Sequence, residues 1–152
     1  MRSRVRVVGS GRRGHALEAD GGESLSFGGA TVLIKAASDT ASVWEEPPPL
    51  LDTPLHVHKH EDEYFQILAG EHVFQCGEDE LEVGPGGFVF LPRGVPHAQR
   101  RLVKGEGRLL VMTVPGGFVG FFRMLAQAEH EGRLGPEIYA AASERHGIIW
   151  VS

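Results

Sequence analysis

The chain has 152 residues, enough for one compact domain with its own core and too few for two of ordinary size, so a single active centre is expected. Its composition, 41% hydrophobic and 23% charged, is that of a folded globular domain and excludes a disordered or fibrous chain. A formal net charge of −5 excludes the basic footprint that nucleic acid requires, and no apolar run is long enough to span a membrane.

The opening MRSRVRVVGSGRRG carries scattered arginines without the apolar core of a signal peptide. A cytoplasmic location is therefore expected, and the single cysteine, Cys76, is compatible with it because no intramolecular disulfide can form. Cys76 itself carries no mark of an activated thiol. Gly9 to Glu23 is Gly-rich and weakly patterned, so residues 1–29 read as a segment draped on or near the domain that follows.

From Ala30 onward, short β-branched and aromatic runs alternate with Gly, Pro and acidic turn signals, the pattern of an antiparallel sandwich or barrel. Strands are predicted at Ala30 to Ala36, Ala41 to Glu45, Leu55 to His58, Glu63 to Leu68, His72 to Gln75, Glu80 to Val83, Gly87 to Leu91, His97 to Leu102 and Arg108 to Val114. The run EEPPPLLDTP, with Pro47 to Pro49, cannot sit in a ladder and marks a loop. After Pro115-Gly116-Gly117 the apolar period lengthens to that of a helix, since Phe118, Phe121, Phe122 and Leu125 share one face. One helix is predicted over Phe118 to Glu131, stopped by Gly132, and a second from Pro136 to about His146, stopped by Gly147. The organisation expected is residues 1–29 as the leading segment, 30–117 as the barrel and 118–152 as a helical tail packed on it.

Two stretches carry chemistry. In PLHVHKHEDEYFQILAGE, His56 and His58 lie two apart on a strand and so project to one face, where Glu63 can join them across a turn. Imidazole nitrogens and a carboxylate suit one divalent transition metal, with Fe, Ni, Mn, Co, Cu and Zn all admissible. In GGFVFLPRGVPH, a tight turn at Gly94 delivers His97 onto a strand. His60 shares parity with His56 and His58 and reads as an exposed turn histidine; Glu61 and Asp62 read as solvated turn carboxylates. Gln99, two residues after His97, reads either as facing the interior to orient a substrate or water, or as lying at the barrel rim facing solvent. Phe65 shares a face with Glu63, and Phe88 and Phe90 share another; all three read as barrel core and, because core and pocket wall largely coincide in a small barrel, as candidates for substrate contact.

The first stretch resembles cupin motif one, G(x)5HxH(x)3-4E(x)6G, from its histidines onward: His56, His58, Glu63 and Gly70, with Leu50 in place of the leading glycine. The second resembles cupin motif two, G(x)5PxG(x)2H(x)3N, at Gly86, Pro92, Gly94 and His97, with Arg101 in place of the final Asn. The resemblance implies an all-β fold, a small jelly-roll β-barrel of two antiparallel sheets, and one metal on His56, His58, Glu63 and His97. Single-domain members with a helical tail of this kind resemble quercetinase-like dioxygenases. That implies a small-molecule substrate with an enol or phenol oxygen, such as a flavonol-like or dicarbonyl compound, and Glu63 as ligand and catalytic base. The same ligands also serve non-redox cyclases or isomerases of polyketide type, and non-catalytic metal or small-molecule binders, so these stand as alternatives. Relatives often pair through their barrels, which implies a homodimer.

Overall fold

A computed structural model describes residues 13–152, the side chains of residues 99–101 excepted. The strands, in chain order, are β1 (Glu23–Phe27), β2 (Ala30–Ala37), β3 (Ser42–Glu46), β4 (His56–His58), β5 (Asp62–Cys76), β6 (Asp79–Val83), β7 (Phe88–Leu91) and β8 (His97–Val114). Helices α1 (Val119–His130) and α2 (Pro136–His146) follow, and a last strand, β9 (Ile148–Trp150), ends the fold. All pairings are antiparallel, in the order β1-β2-β3-β8-β4-β9, while β5 joins β8 to β6 and β7. Among the described residues no helix is long and apolar enough to cross a membrane.

Two pairs of predicted strands are single long ones. In β5 the buried side chains are Glu63, Phe65 and Ile67, then His72 and Phe74, so the inward parity switches between Ile67 and His72. The switch is made at Gly70, at φ 84°, where the register with β8 shifts on both sides. A Cβ there would lie 3.0 Å from the Glu106 carbonyl oxygen, so only glycine lets the strands approach this closely. β8 likewise runs unbroken through the turn-like sequence around Gly105 and Gly107.

The ends of the fold hold two strands that the sequence pattern did not reveal. β1 pairs with β2 through Phe27↔Ala30, so part of the leading segment is built into the sheet. Residues 1–12 lie outside the described residues. β9 pairs with β4 by His58↔Ile148 and His56↔Trp150, which brings the end of the chain to the predicted histidines. Both helices occur where the apolar period of the first and the Pro136 and Gly147 boundaries of the second place them. α1 stops at Gly132, where Arg133 N donates to Ala128 O at 2.7 Å and Gly132 N to Glu129 O at 3.0 Å.

The core lies between the sheet and α1. Val32, Trp44, Phe65, Leu109 and Val111 form its sheet side, and Phe118, Phe122 and Leu125 its helix side. Burying each of these large side chains contributes about 1.5–3 kcal/mol. Phe122 stacks on Phe27 at 5.6 Å and meets Trp44 edge-on at 5.0 Å, which pins α1 across the open side of the barrel.

Gly147, at φ 69°, ends α2 and turns the chain directly into β9, and a Cβ on it would lie 2.5 Å from Cδ2 of His60. Gly132, at φ 71°, has nothing within 4 Å of such a Cβ. Gly132→Ala is therefore expected to cost about 1–2 kcal/mol from backbone strain alone, and Gly147→Ala more, as measured by urea unfolding. Equal losses would show that β9 is not held as described.

Candidate metal centre

His56 and His58 occupy alternate positions of β4, so both rings point inward, and both are buried. His97 begins β8 directly opposite His56 in the ladder. The turn that delivers it passes through Gly94, at φ 78°, whose N–H donates to the His58 carbonyl at 2.9 Å. Glu63 is the second residue of β5, also buried. The turn and β5 are tied by Asp62, whose Oδ1 accepts from Arg93 N at 2.9 Å and from Nε at 3.2 Å. These bonds from Arg93 hold the Asp62 carboxyl below its usual range.

The histidine rings form a tight cluster. Centroids lie 4.5 Å apart for His56 and His97, 5.1 Å for His56 and His58 and 5.3 Å for the stacked pair His58 and His97. One nitrogen from each ring falls within 4.8 Å of the other two. Glu63 reaches into this cluster, with Oε1 3.5 Å from Nε2 of His58 and Oε2 3.0 Å from Nε2 of His97. Ligand atoms about 2.1 Å from one ion and at right angles are about 3 Å apart, so these spacings are those of neighbours in a coordination sphere.

The donor set fits a cation. His56 Nδ1 faces the Pro54 carbonyl at 2.7 Å and His97 Nδ1 the Val95 carbonyl at 3.3 Å, contacts that place the ring proton outward and leave Nε2 as a lone pair. Nε2 of His97 is buried and makes no aligned hydrogen bond among the described residues despite its nearness to Glu63. Burial lowers the pKa of His58 and takes that of His56 to about 4, so both rings are neutral at pH 7. For Glu63, burial pushes the carboxyl up, but the attraction of His58 and contacts with His97 and His56 outweigh it and bring it to about 2. For His56 and His97 the lone pairs of Nε2 converge with the Glu63 carboxylate, an arrangement that a positive ion satisfies.

Beside this cluster lies a cavity of about 260 Å³. His56, His58 and Glu63 line one part of it, and Trp44, Phe118 and Trp150 give it aromatic walls. Phe118 contacts His58 at 4.8 Å and Trp150 contacts His56 at 5.1 Å between centroids. Trp150 escaped prediction because the short apolar IIWVS carries no periodicity long enough to assign it; Trp44 was predicted on a strand, with no signal of which face it took.

Other predicted site residues fall elsewhere. Phe65 is core, edge-on to Phe74 at 5.1 Å, and does not line the cavity. Phe88 and Phe90 are corrected: they are 57% and 45% exposed and pack on Tyr64 outside the barrel, because Val89 and Leu91 take the inward positions of β7. In FVFL both faces are apolar, so the strand's phase could not be read from it. Gln99's side chain lies outside the described residues. His60 is exposed, as expected. Glu61 is corrected too: it shares the parity of Glu63 and is only 5% exposed. Burial, then the charge of Glu63, raise its carboxyl to about 7 against the pull of Arg93.

Residues 43–113 match the Cupin domain family. Over 81 residues, 53% of this chain, the sequence is 31% identical to quercetin 2,3-dioxygenase of Bacillus subtilis, covering 23% of that protein. Over 66 residues, 42% of this chain, it is 44% identical to dimethylsulfoniopropionate lyase DddQ of Ruegeria pomeroyi, covering 32% of that protein. The chain thus spans a third or less of the curated relatives it matches. Among solved structures, the Schizosaccharomyces pombe Cnp3 cupin domain superposes with a TM-score of 0.61 at 13% identity, covering 88% of this chain and 96% of that one. KdgF from Halomonas sp. gives 0.53 at 13% identity over 59% and 81%. Both likenesses show the fold, a cupin jelly roll.

Two outcomes are expected. His58→Ala should weaken metal binding by more than the roughly 10–100-fold typical of lost outer partners, while His60→Ala leaves it unchanged, as read by competition with a chromogenic chelator. In the metal-free protein Glu61 favours folding most fully below its ordinary pKa of 4.5, and that contribution is lost as pH rises through about 7. The stability of Glu61→Gln should consequently fall less than wild type between pH 5 and 8, measured by urea unfolding across that range; parallel profiles would remove the assignment.

Proposed function

Because residues 43–113 form a cupin domain with buried histidines and a glutamate beside an apolar cavity, we propose that the protein is a metal-dependent enzyme acting on a small molecule with an acidic enol or phenol oxygen. In this reading His56, His58, Glu63 and His97 hold one divalent transition metal. Bound there, the ion supplies Lewis-acid polarisation of the substrate oxygen and, for a redox-active metal, an electron path to O₂.

The chain's own residues supply positioning and proton transfer. His56 and His97 are held in orientation by the backbone carbonyls that face their Nδ1 atoms. Glu63 takes the proton of the enol or phenol onto a carboxylate oxygen. Trp44, Phe118 and Trp150 exclude water and offer flat apolar surfaces to a ring. The observation that carries the reading is the double placement of Glu63, which lies within 3.5 Å of two histidine nitrogens and also lines the cavity.

Dioxygenation is the first form of this reading, supported by the likeness to quercetin 2,3-dioxygenase. The cavity, about 260 Å³, lies below the roughly 300–1,000 Å³ of pockets for drug-sized ligands, which favours a one- or two-ring substrate over a three-ring flavonol. The likeness to a lyase favours a second form, in which proton abstraction by Glu63 leads to a non-redox elimination or ring closure.

Oxygen-electrode and product assays on iron-, nickel-, manganese- and zinc-loaded protein, with a panel of small enolic aromatics, separate the two. Oxygen uptake confined to the redox-active metals supports dioxygenation, and turnover by the zinc form without oxygen uptake supports the second form. Glu63→Gln should lower kcat by about 10²–10⁴-fold; a variant that keeps both its metal and full activity would leave Glu63 no role as a base.

A further inference from the structure

Trp44 on β3 is 2% exposed and lines the cavity, and its Nε1 is buried with no hydrogen-bond partner among the described residues. The other tryptophan of the cavity differs: Trp150 Nε1 donates to Ser143 Oγ at 2.9 Å. Buried indole N–H groups ordinarily find an acceptor, and leaving one unpaired costs about 1–3 kcal/mol. The ring of Trp44 is fixed, since Phe122 meets it at 5.0 Å and Phe118 at 5.7 Å. These contacts are apolar and give the N–H nothing to bond to.

The ladder register fixes where this donor stands relative to the metal centre. Glu63 pairs with Thr113 of β8, and Trp44 pairs with Val111 of the same strand from its other side. Trp44 is therefore two strands across from Glu63 and one inward position along. With strands about 4.8 Å apart and about 6.7 Å between successive inward residues, the two backbones are about 12 Å apart. Both residues line the same cavity. Phe118, in contact with Trp44 and with His58, forms a wall common to both ends.

We propose that the Trp44 indole N–H is a substrate-binding donor, and that the site selects a compact ring compound with a metal-binding oxygen at one end and a carbonyl or ether oxygen at the other. The inference rests on the metal-enzyme reading for the first end and on Trp44 alone for the second. It makes Trp44 a specificity residue: a substrate of equal size without the distal acceptor leaves the N–H unpaired and binds more weakly.

The test uses zinc-loaded protein, in which a catechol probe is not oxidised by the metal. The probes are 3,4-dihydroxyacetophenone and 4-isopropylcatechol, which share the metal-binding end and have branched substituents of the same size, with and without an acceptor. By calorimetry, Trp44→Phe should reduce the preference for the acetyl over the isopropyl probe roughly fivefold to tenfold, with little change in affinity for the isopropyl probe. In wild-type protein labelled with ¹⁵N, the Trp44 indole cross-peak, identified by loss of the other one in Trp150→Phe, should move downfield with the acetyl probe and not with the isopropyl probe. This second measurement stands even if Trp44→Phe does not fold. An unchanged preference, or a Trp44 cross-peak that responds equally to both probes, overturns the proposal. Failure of both probes to bind zinc-loaded protein overturns it together with the metal-enzyme reading. Equal binding with and without zinc, with the acetyl-specific shift intact, sinks the metal role of the site and keeps Trp44.

Discussion

The antiparallel ladder between β5 and β8 is the constraint on which the rest of the molecule hangs. The two strands pair from Asp62↔Val114 at one end to Cys76↔His97 at the other, a span that no other pair in the sheet approaches. Because inward positions alternate strictly, this single register decides that Glu63, Phe65 and Ile67 face the interior in one half and His72 and Phe74 in the other. Gly70 permits the change of parity between them. Without that one glycine the second half would present Val73 and Gln75 inward and His72 to solvent, and the core would lose Phe74. β8 carries β3 and β4 on its edge away from β5, so the placement of Trp44 and of His56 follows from the same ladder.

Given that frame, the electrostatics of the centre follow from burial. Imidazoles and a carboxylate packed together away from water need a shared proton or a positive ion between their lone pairs. Folding this set together costs stability, and the fold bears it through the apolar contacts of α1 with β1, β2 and β3. The helix serves a second purpose because Phe118, at its N-terminal end, contacts both the centre and Trp44. Core and pocket wall are here the same residues, so a change that tunes the substrate will usually alter stability as well.

The legible part of the sequence was the part where residue type and spacing are both demanded by chemistry. His56, His58, Glu63, Gly94 and His97 stood out because a ligand cluster needs those side chains and a left-handed turn at fixed intervals. The first helix was legible because the 3.6-residue period of Phe118, Phe121, Phe122 and Leu125 has no competing explanation, and the second because Pro136 and Gly147 bracket it. Phase was not legible in FVFL, where every side chain is apolar and only the pairing of Leu91 with Glu63 sets which face is inside. Continuity was not legible at Gly70 or Gly105, since a glycine that allows a bulge looks the same as one that ends a strand. Glu61 was misplaced for a physical reason: a carboxylate beside a turn is normally solvated, and only the parity it shares with Glu63 gave its burial away.

The cavity of this barrel is walled by segments of different kinds. The histidine–glutamate cluster lies within residues 43–113, the stretch that matches the family, whereas Phe118 and Trp150 come from the tail beyond it. A change in what closes the barrel can therefore alter the cavity without disturbing the cluster. Trp44 sits between these two classes, inside the domain by sequence but facing the closing helix. A donor placed there is held rigid by the sheet on one side and by α1 on the other. That rigidity is what a hydrogen bond needs to discriminate: a site built around a fixed N–H rejects a ligand lacking the acceptor far more strongly than an apolar pocket rejects one that is a methyl group too small.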